Sequence, residues 1–138
     1  MIPGHAIEAG WFLLRYAKQN GQDELAQRPI YEWPFCQSPV QLEWNMKMWW
    51  VHTETMVAFL MAYQHTRDGD HLDSFARVYD YCYSNHVDKK QGEWYGYLNR
   101  DGSVSMRFKG GPWKGCFHVP RSLLYCKQML SELLKRPT

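Results

Sequence analysis

Between Ala6 and Ala17 the sequence carries only two charges, Glu8 and Arg15, and its apolar residues fall on every side of a helical wheel. The stretch 48–61 reads the same way inside a longer helical segment. Helices of this kind need neighbours all round, so they belong to the inner layer of a fold whose outer layer is supplied elsewhere. The first of them starts within five residues of the beginning of a 138-residue chain, with little ahead of it to cover its N-terminal side. That is the first hint of a missing half.

The rest of the chain supplies covering elements. Helix 1 is expected over Gly4–Gln19, introduced by Pro3 and closed by Asn20–Gly21. Residues 43–66 read as one long helix, with Glu43, Lys47, Trp50 and Glu54 on a narrow polar stripe facing a cavity or buried network. "RDG" at 67–69 turns the chain. In 70–86, Leu72, Phe75, Ala76, Tyr79, Cys82, Tyr83 and His86 recur at helical spacing, the mark of an outer helix. The junctions "NGQDEL" at 20 and "RDGDHL" at 67 repeat after 47 residues, a helical-hairpin period. "EWYGYLNRDGSVSMRF" (93–108) reads as a β-hairpin turning at "NRDG". A last helix runs from His118 or Val119 to about Lys135, with Leu123, Leu130, Leu133 and Leu134 on its apolar side. Three prolines between 29 and 39 make 27–42 a connecting loop. The fold class is mainly α: antiparallel helix pairs with a hairpin in one connection, an α/α toroid whose inner helix ends form a funnel.

Composition narrows the function. Aromatic residues make up 16%, with seven Trp and nine Tyr, enough for a large core or a sugar cleft. Net charge is +2 with scattered basic residues, so nucleic acid is not indicated. The four cysteines, Cys36, Cys82, Cys116 and Cys126, form no CxxC pair and read as free thiols of a reducing cytosol. Residues 2–10 do not resemble a signal peptide, and no segment is a membrane span.

The stretch "KGGPWKGCFHVPR" (109–121) allows three chemistries. A phosphate loop would need Lys and Ser/Thr where Cys116 and Phe117 stand, so a Gly-rich turn passing close to a neighbour fits better. A metal would need a second helical pair to match His5 and Glu8, and none is present. Acid/base work suits His5 and His118, each opening a helix, with Glu8 one turn below His5 to orient it. Trp50 and Trp113 can stack on a sugar ring. His65, His71 and His86 have no supporting residues and read as structural.

Four stretches resemble one family. "PGHAIEAGWFLLR" (3–15), "QLEWNMKMWWVHTETMVAFLM" (41–61), "GEWYGYLNRDGSV" (92–104) and "GGPWKGCFHVPRSL" (110–123) are similar to the C-terminal half of N-acylglucosamine 2-epimerases, also called the renin-binding protein family. The resemblance covers nearly all of the chain except about 27–40. It implies part of an (α/α)6 barrel, a cytosolic place, and interconversion of N-acetyl-D-glucosamine and N-acetyl-D-mannosamine. His5 matches the histidine of PGHxxE and His118 that of FHxxR, the family's acid/base pair. Glu8, Trp50, Glu54, Trp113 and Arg121 match pocket positions. It further implies a homodimer or pairing with a full-length subunit, renin as a partner by analogy, ATP as an effector that is not consumed, and no required metal or redox cofactor.

The departures set further expectations. The family's N-terminal half, with an arginine that contributes to its pocket, has no counterpart, so this chain is expected to be weak or inactive alone. Residues 27–40 look shortened. The helices at 6–17 and 48–61 are expected to lose neighbours and expose an apolar patch. Two other classes stay open: a non-catalytic binding fragment, and a glycoside hydrolase using two of Glu43, Glu54 and Glu93 across the funnel.

Overall fold

The computed structural model describes residues 3–22 and 45–135. Four helices dominate: α1 (Pro3–Asn20), α2 (Trp49–Thr66), α3 (Gly69–Asn85) and α4 (His118–Lys135). Three short strands, β1 (Met46–Met48), β2 (Tyr97–Asn99) and β3 (Val104–Met106), form one antiparallel sheet in that order. The connecting loop read at 27–42, together with Glu43 and Cys36, lies outside the described residues.

α2 is the hub, and α1, α3 and α4 all pack on it. Its residues Trp49, Met56, Val57 and Leu60 are essentially without solvent contact. The stretch 48–61 is covered on most sides, with Trp50, Val51, Phe59 and Met61 partly exposed. The expected loss of cover is larger on α1. Trp11, Leu14 and Ala17 are buried there, while Phe12, Leu13 and Tyr16 are about half exposed.

The second helix starts later than its apolar pattern suggests. Met46–Met48 is extended and pairs with β2, Met48 opposite Tyr97 and Lys47 opposite Leu98. The Trp49 N–H then donates to the Gly96 carbonyl at 2.9 Å. Met48 is the N-cap and makes no side-chain cap bond. Sheet pairing outcompetes the first helical turns because it satisfies backbone groups that no capping side chain would. The expected hairpin is therefore two strands of a three-stranded sheet. Lys47 leaves the polar stripe and donates to the Tyr81 hydroxyl at 3.0 Å.

α2 and α3 form an antiparallel helical hairpin. Arg67 adopts the left-handed conformation (φ 60°), and the Asp68 side chain caps α3 by accepting from the Asp70 N–H. On α3 Phe75 and Cys82 face inward as read, as does His86 at its C-terminal cap, but Ala76 and Tyr79 are exposed. α4 buries Val119, Ser122, Cys126 and Met129, a face one step round from the expected leucine row; Leu134 is 88% exposed. Among the described residues, no helix is long and apolar enough to cross a membrane.

Candidate functional site

Three helices begin at one place. His5 is the third residue of α1, Trp50 the second of α2, and His118 the first of α4, and all three line a single cleft of about 330 Å³. Met48 and Tyr97 of the sheet, Glu8, Trp49 and Trp113 complete its wall. Pro3 fills the first position of α1, where its missing N–H has no helical partner to lose. Gly4 permits the close approach: a Cβ there would sit 2.4 Å from the Trp50 ring and 2.8 Å from Val51. This is why glycine stands between the proline and the histidine.

The Trp50 indole is the common neighbour of both histidines. Its ring centroid lies 5.0 Å from that of His5 and 5.6 Å from that of His118, and both imidazoles line the same cleft. Trp113 stands at the rim, 82% exposed.

Behind His118 is a buried carboxylate. Glu54 has no solvent exposure. One of its oxygens accepts from His118 Nδ1 at 2.7 Å, from Arg121 Nη2, and from the Ser122 hydroxyl at 3.5 Å. Its other oxygen accepts from Trp11 Nε1 at 2.9 Å. A carboxylate taken out of water costs several kcal/mol unless it is paired and hydrogen-bonded. Here a guanidinium and three further donors compensate it. The bond to Nδ1 selects the tautomer that presents Nε2 as the free lone pair. Glu54 thus lies beneath the cleft rather than in its wall. Arg121 packs its guanidinium on the Phe117 ring at 4.1 Å and reaches Glu8 at 3.8 Å. Among the described residues Glu8 has no hydrogen bond to His5, so the expected orienting contact is absent.

The competing chemistries can now be placed. Potential ligand atoms of Glu8, Glu54 and His118 lie within 4.8 Å of one another, a spacing compatible with a cation. The Arg121 guanidinium already occupies that role between the two carboxylates. The phosphate reading fails because neither lysine is available. Lys109 Nζ pairs with Asp88 at 2.5 Å, and Lys114 Nζ with Glu93 at 2.9 Å. The Gly-rich turn is also not a close approach: a Cβ at Gly110 or Gly115 would meet nothing within 4 Å. For a hydrolase, Glu54 is sealed off, Glu93 is tied to Lys114, and neither lines the cleft.

A second polar cluster lies outside the cleft wall. His52 Nδ1 bonds the Met48 carbonyl and His86 Nδ1 the Tyr95 carbonyl, both at 2.8 Å, with the two rings 4.8 Å apart. Burial lowers both pKa values. For His86 it outweighs the Tyr95 bond, and with help from His52, Lys114 and Lys47 it brings the value to about 4. His86 is structural, as read.

Sequence reasoning missed Trp11, Ser122, Met48, Trp49 and Tyr97. Trp11 was within reach of it: it follows Glu8 by three residues, on the same helix face as the PGHxxE motif.

A family model described as N-acylglucosamine 2-epimerase matches residues 1–120. The N-acylglucosamine 2-epimerase of Bos taurus is 48% identical over 97% of this chain, and that of Homo sapiens 44% over 98%. The chain spans 37% and 36% of those two proteins. The solved cellobiose 2-epimerase of Spirochaeta thermophila superposes with a TM-score of 0.75 at 23% identity, over 96% of this chain and 38% of that one. A D-mannose isomerase structure matches at a TM-score of 0.71 and 18% identity, over 96% and 38%. Both structural matches speak to the fold.

Proposed function

This chain belongs to the N-acylglucosamine 2-epimerase family, and on that premise we propose that His5 and His118 move the C2 proton between N-acetyl-D-mannosamine and N-acetyl-D-glucosamine. The observation that carries the reading is the buried Glu54 holding His118 by Nδ1, which leaves Nε2 directed to proton transfer beside Trp50 and His5.

The chemistry asks for this arrangement. In the open-chain sugar the C2–H bond is acidic because the C1 carbonyl accepts its electron pair as an enolate. One imidazole takes the proton, and the other, on the opposite face, returns a proton to C2 with inverted configuration. Nothing is oxidised or reduced. Glu54 compensates the charge that appears on His118 when Nε2 is protonated. The converging N-termini of α1, α2 and α4 favour the negative charge of the enolate. Trp50 and Trp113 offer apolar faces to the sugar. Arg121 holds Glu8 and Glu54 in place rather than touching the sugar.

Three helices starting at one cleft, with α3 folded back outside α2, support an inner and outer layer from an (α/α)6 barrel. The family and the free thiols Cys82, Cys116 and Cys126 among the described residues support a cytosolic place. His5 and Trp113 are exposed, so the cleft is open to water and turnover by this chain alone is expected to be low. The test is proton NMR of the purified chain with N-acetylmannosamine and, separately, with cellobiose. Appearance of N-acetylglucosamine alone supports the assignment; epimerisation of cellobiose alone overturns the substrate.

A second reading is that the chain pairs with another subunit. The half-exposed Phe12, Leu13 and Tyr16 on α1 favour it. Mixing with a full-length relative and sizing the product by light scattering decides it: a stable complex supports pairing, and unchanged masses reject it.

A further inference from the structure

The segment 107–117, between β3 and α4, has no regular secondary structure, and its main chain closes one internal hydrogen bond, Lys114 N–H to Gly111 at 3.2 Å. It nevertheless carries Trp113 to the rim of the cleft and ends at His118. What fixes it is a pair of lysines. Lys109 Nζ bonds Asp88 and, at 2.8 Å, the Gly92 carbonyl. Lys114 Nζ bonds Glu93 at 2.9 Å and reaches back to the Lys109 carbonyl at 2.8 Å.

Lys114 is the deeper of the two, only 6% exposed. Two features of the fold accommodate it. At Gly96 a Cβ would lie 3.0 Å from Lys114 Cδ and 3.3 Å from Trp49, so the missing side chain leaves the channel for the lysine stem beside a cleft-wall residue. Glu93 is held in the left-handed region (φ 63°), unusual for a non-glycine residue. From there its carboxylate accepts from both the Trp94 N–H and Lys114. Burial works to raise the Glu93 carboxyl, but these two donors outweigh it and the net shift is downward.

We propose that Lys114 is a positioning residue for the cleft: its hold on Glu93 and the Lys109 carbonyl sets where Trp113 stands, and so the affinity for the sugar ring rather than the proton transfer. The sugar part rests on the reading of the cleft given above. Lys114 itself does not line the cleft.

The test is ¹⁵N relaxation on the labelled chain, followed by titration with N-acetylmannosamine. In Lys114→Met, amide order parameters over 109–116 fall from rigid values near about 0.85 to below about 0.6, while those of α2 and α4 hold. Sugar affinity falls about 3- to 10-fold, as it does in Trp113→Ala. The double variant binds no more weakly than Trp113→Ala, because Lys114 acts through Trp113. An ordered 109–116 segment in Lys114→Met overturns the proposal, and so do losses that multiply in the double variant. Glu93→Gln carries the same test if Lys114→Met does not fold: its amide oxygen still accepts from the buried Lys114 Nζ, while the charge that holds the lysine is gone. A wild-type chain that binds no sugar rejects the sugar reading, and the relaxation data alone then decide whether Lys114 holds the segment.

Discussion

His118 Nδ1 lies 2.7 Å from a Glu54 oxygen that has no contact with solvent, 64 residues away in the chain. The same carboxylate neutralises Arg121, so it serves both the histidine and the cation beside it. Glu54→Ala leaves Arg121 without its closest counter-charge and should cost about 3–5 kcal/mol in urea unfolding. Glu54→Gln keeps the shape and should cost less. Imidazole ¹⁵N shifts should report Nδ1–H for His118 in the wild type and a tautomer mixture in Glu54→Gln. An unchanged tautomer would remove Glu54 from the role given to it here.

Gly4→Ala should destabilise the chain by about 1–3 kcal/mol, the usual cost of forcing extra atoms into a packed contact. The added carbon lands on the Trp50 ring, so the near-ultraviolet circular dichroism should change as well. Wild-type stability with an unaltered spectrum would mean that α1 does not pack on Trp50 as described.

Stability should fall between pH 7 and pH 5. His52 and His86 are held neutral in the folded chain, their pKa values lowered mainly by burial, His86 to about 4. Unfolded, each titrates near about 6.5, so below that pH the unfolded state binds more protons. The stabilisation is complete above that value and is lost as pH falls below it, for His86 down to about 4. His86 alone should account for about 2 kcal/mol by pH 5. Urea midpoints at the two pH values should converge in His86→Gln, and equal slopes in both proteins would refute the assignment.

Thiol reactivity should separate the cysteines. Cys82 and Cys126 are buried and burial pushes both thiols up to about 12, whereas Cys116 is exposed. In Cys36→Ser, a disulfide reagent should titrate one thiol in the folded chain and three in urea. Three rapid reactions without denaturant would show that α3 and α4 do not cover Cys82 and Cys126.

Much of the fold was legible because its signals are local. The α2–α3 hairpin announced itself through "RDG", the β2–β3 hairpin through "NRDG", and α1 through Pro3 and Gly21. The start of α2 was not legible. Met48 offers no capping side chain, and Met46–Met48 is drawn into the sheet by strand β2, some fifty residues on. The candidate residues His5, Glu8, Trp50, Trp113 and His118 do line one cleft. Glu54 and Arg121 lie behind it, because a sequence gives the face of a helix and not the depth at which a charged group is buried. The roles of Lys109 and Lys114 were hidden for a similar reason: a lysine beside glycines looks like a phosphate ligand until its carboxylate partner is located.

The central claim is that His118, held by Glu54, exchanges a proton with C2 of the sugar. The direct measurement is proton NMR of N-acetylmannosamine incubated in D2O with the chain and with its His118→Asn variant. Slow loss of the C2 proton signal with the wild type, absent with a folded His118→Asn, is the predicted result. Exchange that persists undiminished in His118→Asn, or none from a folded wild-type chain that binds the sugar, would contradict it.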